Sequence, residues 1–418
     1  TPLYSSAASD VYKRQGVERY FDLSDLRAFQ THRQGFLFPF ALARGHAWVE
    51  NAQIRDGASA LSHPLMALRA AFARNTELGA VSIEDDNIVV QLTLAQGATL
   101  WLAVNQLNKL PAWVRWLGPH ANLGEVIYTT WFTGYVPFDG LRLPSGLTTD
   151  IDWRENVVTV FHVDSYEVDA DLPEFVASGS FFGEGGNLEV AVIEVADGVW
   201  DLRVGPNGGA VVEFDDHLLM FEAYGNEANS LARIDQANTL VPGKEVTEVI
   251  LSHHHFDHSG GIRAAVSRGL TIISKRENED ILREMISRPA PNFPDALARN
   301  PQPLNFVPVD EHLILEDATR RVDGHEVVGH MHMTEAVFAY LPEERILMQG
   351  DMFDIGWDWH WWGGNYLDSI EHFDLNPTTD IPVHGRVTSL AEVIESIESQ
   401  VEAVMMFCER NESSGIYM

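Results

Sequence analysis

The stretch Val246-Thr247-Glu248-Val249-Ile250-Leu251-Ser252-His253-His254-His255-Phe256-Asp257-His258-Ser259-Gly260-Gly261 decides the fold of this chain. Its first part, Val246 to Leu251, is β-branched and apolar, follows the turn pair Pro242-Gly243, and predicts a buried strand. Its second part packs four histidines and an aspartate into residues 253–258. Residues two apart in an extended segment point the same way. His253 and His255 can therefore face one metal ion together while His254 points elsewhere. Asp257 and His258 follow where the chain turns, and can address a second ion beside the first. Gly260-Gly261 lets the backbone pack closely before Ile262-Arg263-Ala264-Ala265-Val266 begins a helix.

Two ions need more ligands than this run supplies, and other strand ends offer them. His332 lies in Gly329-His330-Met331-His332-Met333-Thr334, just before a strand predicted over Ala336–Leu341. Asp351 closes the apolar run Ile346-Leu347-Met348-Gln349-Gly350-Asp351, and His384 closes Asp380-Ile381-Pro382-Val383-His384. Ligands at strand ends suit an α/β fold whose loops converge at one rim of a sheet.

His253-x-His255-x-Asp257-His258, with His332, Asp351 and His384, resembles the metallo-β-lactamase superfamily over roughly residues 180–400. The stretch from Glu335 to Asp351 matches that family's strand–turn–strand lead into a bridging aspartate. The resemblance implies an αββα four-layer sandwich with a dinuclear site: His253, His255 and His332 on the first metal, Asp257, His258 and His384 on the second, Asp351 between them. The family often reads Gly-His at its third ligand, which would pick His330. Its usual interval back from Pro342 picks His332 instead, leaving His330 behind the ligands or against substrate. Met333-Thr334-Glu335-Ala336 departs from the family's usual Thr-Pro-Gly-Ser, which separates this chain from typical thiolesterases and lactonases.

The ligand chemistry stands beside the resemblance. Imidazole and carboxylate donors without thiolate suit two Zn²⁺ ions, with Fe or Mn as alternatives. A hydroxide shared by two such ions is a nucleophile at neutral pH, since metal binding can lower the pKa of water from 15.7 to about 7. The expected function is a dinuclear metal hydrolase cleaving an ester, lactone, thioester or related bond, with Asp257 both ligating and orienting the nucleophile. A β-lactamase and a sulfate or phosphate ester hydrolase are alternatives on the same fold. So is an iron-dependent sulfur or oxygen redox enzyme, although the di-iron branch usually carries Glu where His255 stands.

Other residues are candidates for substrate contact. His360, within Trp357-Asp358-Trp359-His360-Trp361-Trp362, could wall a pocket after Asp351. Asn365 and Tyr366 could donate to a developing oxyanion. Arg386 could neutralise an anionic substrate or pair with a nearby acid. His325, His217 and His162 read as structural or exposed. The Pro- and Asn-rich segment 289–303 is expected to be a loop over the site.

Working outward, the chain is expected to hold an N-terminal β-rich domain over residues 16–172 and a catalytic domain over 173–418, with a boundary near Asp171-Leu172-Pro173. The first contains a short helix after His63-Pro64 and antiparallel strands separated by turn signals such as Asp85-Asp86-Asn87 and Phe138-Asp139-Gly140. It resembles the half-barrel of lipoprotein carriers, which favours a periplasmic over a cytoplasmic location. Its tryptophans Trp101, Trp113, Trp116 and Trp131 read mainly as sheet core. Residues 1–15 resemble translated sequencing adaptor and are set apart from the fold, so the native N-terminus is expected to be incomplete.

The 418 residues carry a net charge of −33 and only four lysines. Such a surface repels phosphate backbones, so a small-molecule substrate is expected and nucleic acid is not. No run approaches the roughly 18 consecutive apolar residues of a membrane span. The single cysteine, Cys408, excludes an intrachain disulfide.

Overall fold

A computed structural model describes residues 15–22, 27–34, 53–55, 61–95, 97–154, 156–167, 188–355 and 362–414. The chain separates into two compact units: residues 1–120 with 125–181, and residues 121–124 with 182–418. Asp171-Leu172-Pro173 and His360 lie outside the described residues.

In the first unit, β1 (Gln15–Asp22), β2 (Arg27–Gln34) and β3 (Gln53–Arg55) pair antiparallel. Next comes helix α1 (Pro64–Ala71), whose first turn carries Pro64 and whose cap is the His63 side chain, accepting from Leu65 N. A seven-stranded antiparallel sheet follows in sequence order: β4 (Glu77–Glu84), β5 (Asn87–Thr93), β6 (Thr99–Asn105), β7 (Pro111–His120), β8 (Gly124–Phe138), β9 (Leu141–Ile151) and β10 (Asn156–His162). The β8–β9 hairpin turns on Asp139 and Gly140, both at positive φ (43° and 76°), the backbone that a two-residue type I′ turn demands. Met66, Ala67 and Ala70 of α1 pack on Leu92, Leu100, Leu102, Val114 and Trp116 of the sheet. Trp113 and Trp116 are buried as expected of sheet core, whereas Trp131 is exposed.

The second unit is a four-layer αββα sandwich. One sheet runs β11 (Ala191–Ala196), β12 (Val199–Arg203), β13 (Ala210–Glu213), β14 (Leu218–Phe221), β15 (Val246–Ile250), β16 (Thr271–Lys275) and β17 (Asn305–Val309). Its first strands form an antiparallel meander; β14 to β17 are parallel. Interleaved in sequence are α2 (Glu227–Ala237), α3 (Ile262–Ser267), α4 (Glu279–Ser287) and the short α5 (Ala296–Arg299). The other sheet runs β18 (His312–Glu316), β19 (Arg321–Glu326), β20 (Val337–Leu341), β21 (Ile346–Gln349), β22 (Thr379–Pro382) and β23 (Thr388–Ser389). Helices α6 (Gly363–His372) and α7 (Leu390–Ser414) cover its outer face.

Between the sheets lies a core drawn from both, including Val212, Leu219, Phe221 and Ile250 from one and Val337, Ala339, Met348 and Ile381 from the other. A strand buried on both faces reads as a nearly continuous apolar run, as β21 does, whereas β15 buries Val246, Val249 and Ile250 and leaves Thr247 exposed. Segment 289–303 is not structureless: it carries α5 and is pinned to α2 and α3, through Glu227 to Ala296 N and Asp295 to Arg263. Among the described residues, no helix is long and apolar enough to cross a membrane.

Candidate metal centre

The topology brings several strand ends to one rim. Strands β14 and β15 run parallel, as do β21 and β22, so Glu222, the 252–258 run, Asp351 and His384 all follow C-terminal strand ends. The rims are tied across the sandwich by Val337 N donating to Ser252 O at 2.8 Å and Gly208 N donating to Val383 O at 2.9 Å. His332 comes from the loop entering β20.

Two groups of donors converge there. His253, His255, His332 and Asp351 each offer one atom within 4.8 Å of the others, and Asp257, His258 and His384 do the same. Asp351 faces both. Its Oδ2 lies 3.0 Å from His332 Nε2 and 3.7 Å from His253 Nε2, while its Oδ1 lies 3.0 Å from His258 Nε2 and 3.2 Å from His384 Nε2. Asp257 Oδ2 sits 3.4 Å from His384 Nε2 and 3.5 Å from His258 Nε2. His253 Nε2 and His255 Nδ1 approach to 2.9 Å, and His258 Nε2 and His384 Nε2 to 3.2 Å.

The far side of three of these rings is held by the protein. Ser252 Oγ lies 2.9 Å from His253 Nδ1, Glu222 Oε2 lies 2.8 Å from His258 Nδ1, and Asn207 Oδ1 lies 2.9 Å from His384 Nδ1. Partners of this kind fix the tautomer and aim the other ring nitrogen inward. Glu222 also accepts from Ser252 N (3.0 Å) and Ser252 Oγ (2.6 Å), so one buried carboxylate steadies both halves. Glu222 and Asp351 sit at positive φ, 83° and 60°, strained backbone of the sort that persists where surrounding structure enforces it. Close packing explains the glycines: a Cβ on Gly260 would overlap Gly225 O, and one on Gly261 would overlap the Ser230 side chain.

The electrostatics split the centre. Burial, with His258 and other imidazoles nearby, drives the His253 pKa well down; burial and His332 bring His255 to about 3. On the other side, burial would also lower His258, but Asp351, Asp257 and Glu222 together override it and push it well up. His384 rises to about 9, where burial, which would lower it, is outweighed by the carboxylates of Asp257 and Asp351 beside its Nε2. Burial would raise both aspartates, yet His258 and His384 pull Asp257 down to about 2, and His258, His332 and His384 hold Asp351 far below the usual carboxylate range.

This donor set fits divalent cations. Imidazole nitrogens and carboxylate oxygens without sulfur are borderline-to-hard ligands. Asp351 Oδ1 is buried without a hydrogen bond of proper angle, although two imidazole nitrogens stand close. A cation would satisfy it. His255, Asp257 and His332 are at least partly open to solvent, leaving access from the rim.

Four expected substrate contacts fare differently. Tyr366 is a correction: α6 turns it inward, it is fully buried, and its OH donates to Asp380 Oδ1 at 3.0 Å, so it cannot reach an oxyanion. For His330, the first of its two expected positions, behind the ligands, is the one found. It is buried, with Nδ1 accepting from His332 N (3.3 Å) and Nε2 3.4 Å from Met352 O, so it braces the loop bearing His332 rather than touching substrate. Asn365 is half-buried on α6, facing Gly329. His360 falls outside the described residues. His254 turns away, its Nδ1 2.9 Å from Asn278 Oδ1, and Arg386 pairs with Glu392.

Sequence reasoning missed Glu222, Asn207, Asp354 and Asn122. Glu222 had a signal, an acid closing an apolar strand as Asp351 does. Asp354 is buried, and burial with the nearby Asp351 pushes its pKa well up. Asn122 Nδ2 donates to Phe256 O (3.1 Å) and Ser259 Oγ (2.7 Å), bracing the histidine run. Asn207 lies in a turn and carried no signal.

The sequence profile of the metallo-beta-lactamase superfamily matches residues 210–356. Among solved structures, this chain is similar to a metallo-beta-lactamase from Pontibacter korlensis, with 15% identity and a TM-score of 0.40, over 51% of this chain and 99% of that one. It is also similar to one from Pseudomonas aeruginosa in a mono-zinc form (18%, 0.39, 51% and 96%) and to one from Hirschia baltica (16%, 0.39, 50% and 97%). No curated protein matches the sequence.

Proposed function

We propose, from the premise that this chain belongs to the metallo-beta-lactamase superfamily through its second unit, that it is a hydrolase working with two divalent cations, zinc foremost, on an ester, lactone, thioester or related bond. The observation that carries this is Asp351, whose two carboxylate oxygens each face a different group of imidazoles. Bound cations would supply Lewis acidity, both to water and to the scissile carbonyl. His253, His255 and His332 would hold the first cation and Asp257, His258 and His384 the second. Asp257 is the half-exposed member, placed to accept a proton from the attacking water and return it to the leaving group. Trp362 stacks on His332 with centroids 4.8 Å apart and forms a flat wall beside it.

The test is a panel of esters, lactones, thioesters, phosphodiesters, sulfate esters and β-lactams, with metal content measured on the same protein. Hydrolysis lost on chelation and restored by Zn²⁺ supports the proposal. Activity undiminished by full metal removal overturns it, as does oxygen consumption with one iron per chain.

A further inference from the structure

Outside the histidine run, β18 and β19 place a second group of donors together. His312 and His325 are directly opposed cross-strand partners, and Asp323, two residues before His325, lies on the same face. One atom from each lies within 4.8 Å of the others, with His312 Nε2 3.8 Å from Asp323 Oδ1. His325 is 5% exposed, and neither of its ring nitrogens has a hydrogen-bond partner among the described residues. Buried polar atoms ordinarily find one.

We propose that His312, Asp323 and His325 form a separate structural site for a Zn²⁺-like cation, clamping the edge strand β18 onto β19. Two imidazoles and one carboxylate match the donors that such ions take, with water completing four-coordination. Zn–N bonds of about 2.0–2.1 Å put tetrahedral ligand atoms roughly 3.4 Å apart, so the donors, now within 4.8 Å of one another, must draw together on binding. The two rings now stack, with centroids 4.4 Å apart and planes 4° from parallel. A coordinated ion lies in the plane of each ring, so one must turn. His312, with 37% of its side chain exposed, is free to do so. Arg321 pairs with both oxygens of Asp323 at 2.7 and 3.0 Å, but each oxygen keeps a second lone pair. That guanidinium makes the site weaker than the centre around Asp351. The rival is an imidazole serving only as an aromatic between Phe338 and Phe373.

The chelator-stripped full chain is titrated with Zn²⁺ in equilibrium dialysis, and bound metal is counted for wild type, His312→Ala and His325→Phe. Both variants should bind one equivalent fewer than wild type while keeping the tighter equivalents. Zn²⁺ added after those are filled should raise the melting temperature of wild type only. Equal stoichiometry in all three proteins overturns the proposal, as does a Zn²⁺-dependent melting shift that survives in His325→Phe, which keeps the aromatic packing. Neither readout depends on hydrolysis, so this site and the proposed reaction stand or fall separately.

Discussion

The two halves of the candidate centre share Asp351 and one rim of the fold, yet their charge environments are opposite. Around His253, His255 and His332 the imidazoles crowd one another with a single carboxylate oxygen among them, and protons are driven off His253 and His255. Around His258 and His384 stand Asp257, Asp351 and Glu222, and protons are held. Identical side chains acquire opposite proton affinities from the carboxylates the fold brings near them. The first half is therefore ready for a cation at neutral pH, whereas the second must give up protons to take one.

Breaking the shared element should have the largest effect. Asp351→Ala is expected to empty both halves and lower hydrolysis by at least ~10³-fold, the upper range for losing a preorganised charge contact; metal analysis with single-turnover assays checks both. Substitutions confined to one half come next. His255→Ala should remove one cation and leave the fold intact, with activity falling ~10²-fold or more. Full activity in that variant would mean that the first half is not a metal site. Glu222→Gln should weaken cation binding at the second half by about 10–100-fold, the usual cost of losing a partner behind a ligand. The first half should change less, because the new amide oxygen can still accept from Ser252.

The proton difference is directly measurable. Loading the second half at pH 7 should release protons, since His384 holds its proton to about pH 9, and its apparent affinity should fall as pH drops below that value. His255, at about 3, should release none. Calorimetry in buffers of different ionisation enthalpy separates the two, and equal proton release from both would erase the contrast.

The smallest effect on catalysis is expected at Tyr366. Tyr366→Phe should leave kcat unchanged and cost about 1–3 kcal/mol of stability by stranding the buried Asp380. Burial lifts Asp380 from its ordinary 3.8 to about 7. Between those values the folded chain binds more protons than the unfolded, so this group's contribution to stability falls as pH rises and is lost above about 7. Asp380→Asn should remove that fall, as read by melting temperature across the window.

Much of the second unit was legible because its strands announce themselves locally. Val246–Ile250 and Ile346–Gln349 are dominated by large or β-branched apolar residues, broken only by Thr247, Glu248 and Gln349, and lead directly into the residues of interest. Strand β12 went unrecognised because Asp201 and Arg203 interrupt it; they are buried as an ion pair at 2.6 Å, which only a folded interior reveals. Strand β7 begins at Pro111 and carries Gly118-Pro119 near its end, residue types that ordinarily weaken a strand, so its sequence does not announce it. On α6 the helical period decides the matter: Gly363, Tyr366 and Ser369, three apart, share the buried face, so Tyr366 joins the core and Asn365 does not.

The sequence alone determined the local parts: which strands end in histidine or aspartate, and that His253 and His255 share a side while His254 faces away. Those facts follow from backbone periodicity, which acts over a few residues. The tertiary structure alone decided what lies behind each ring and what charge surrounds it. Asn207 meets His384 across 177 residues of chain, and Glu222 meets His258 across 36. Proton affinity depends on distance through space, and only the closed sandwich sets those distances.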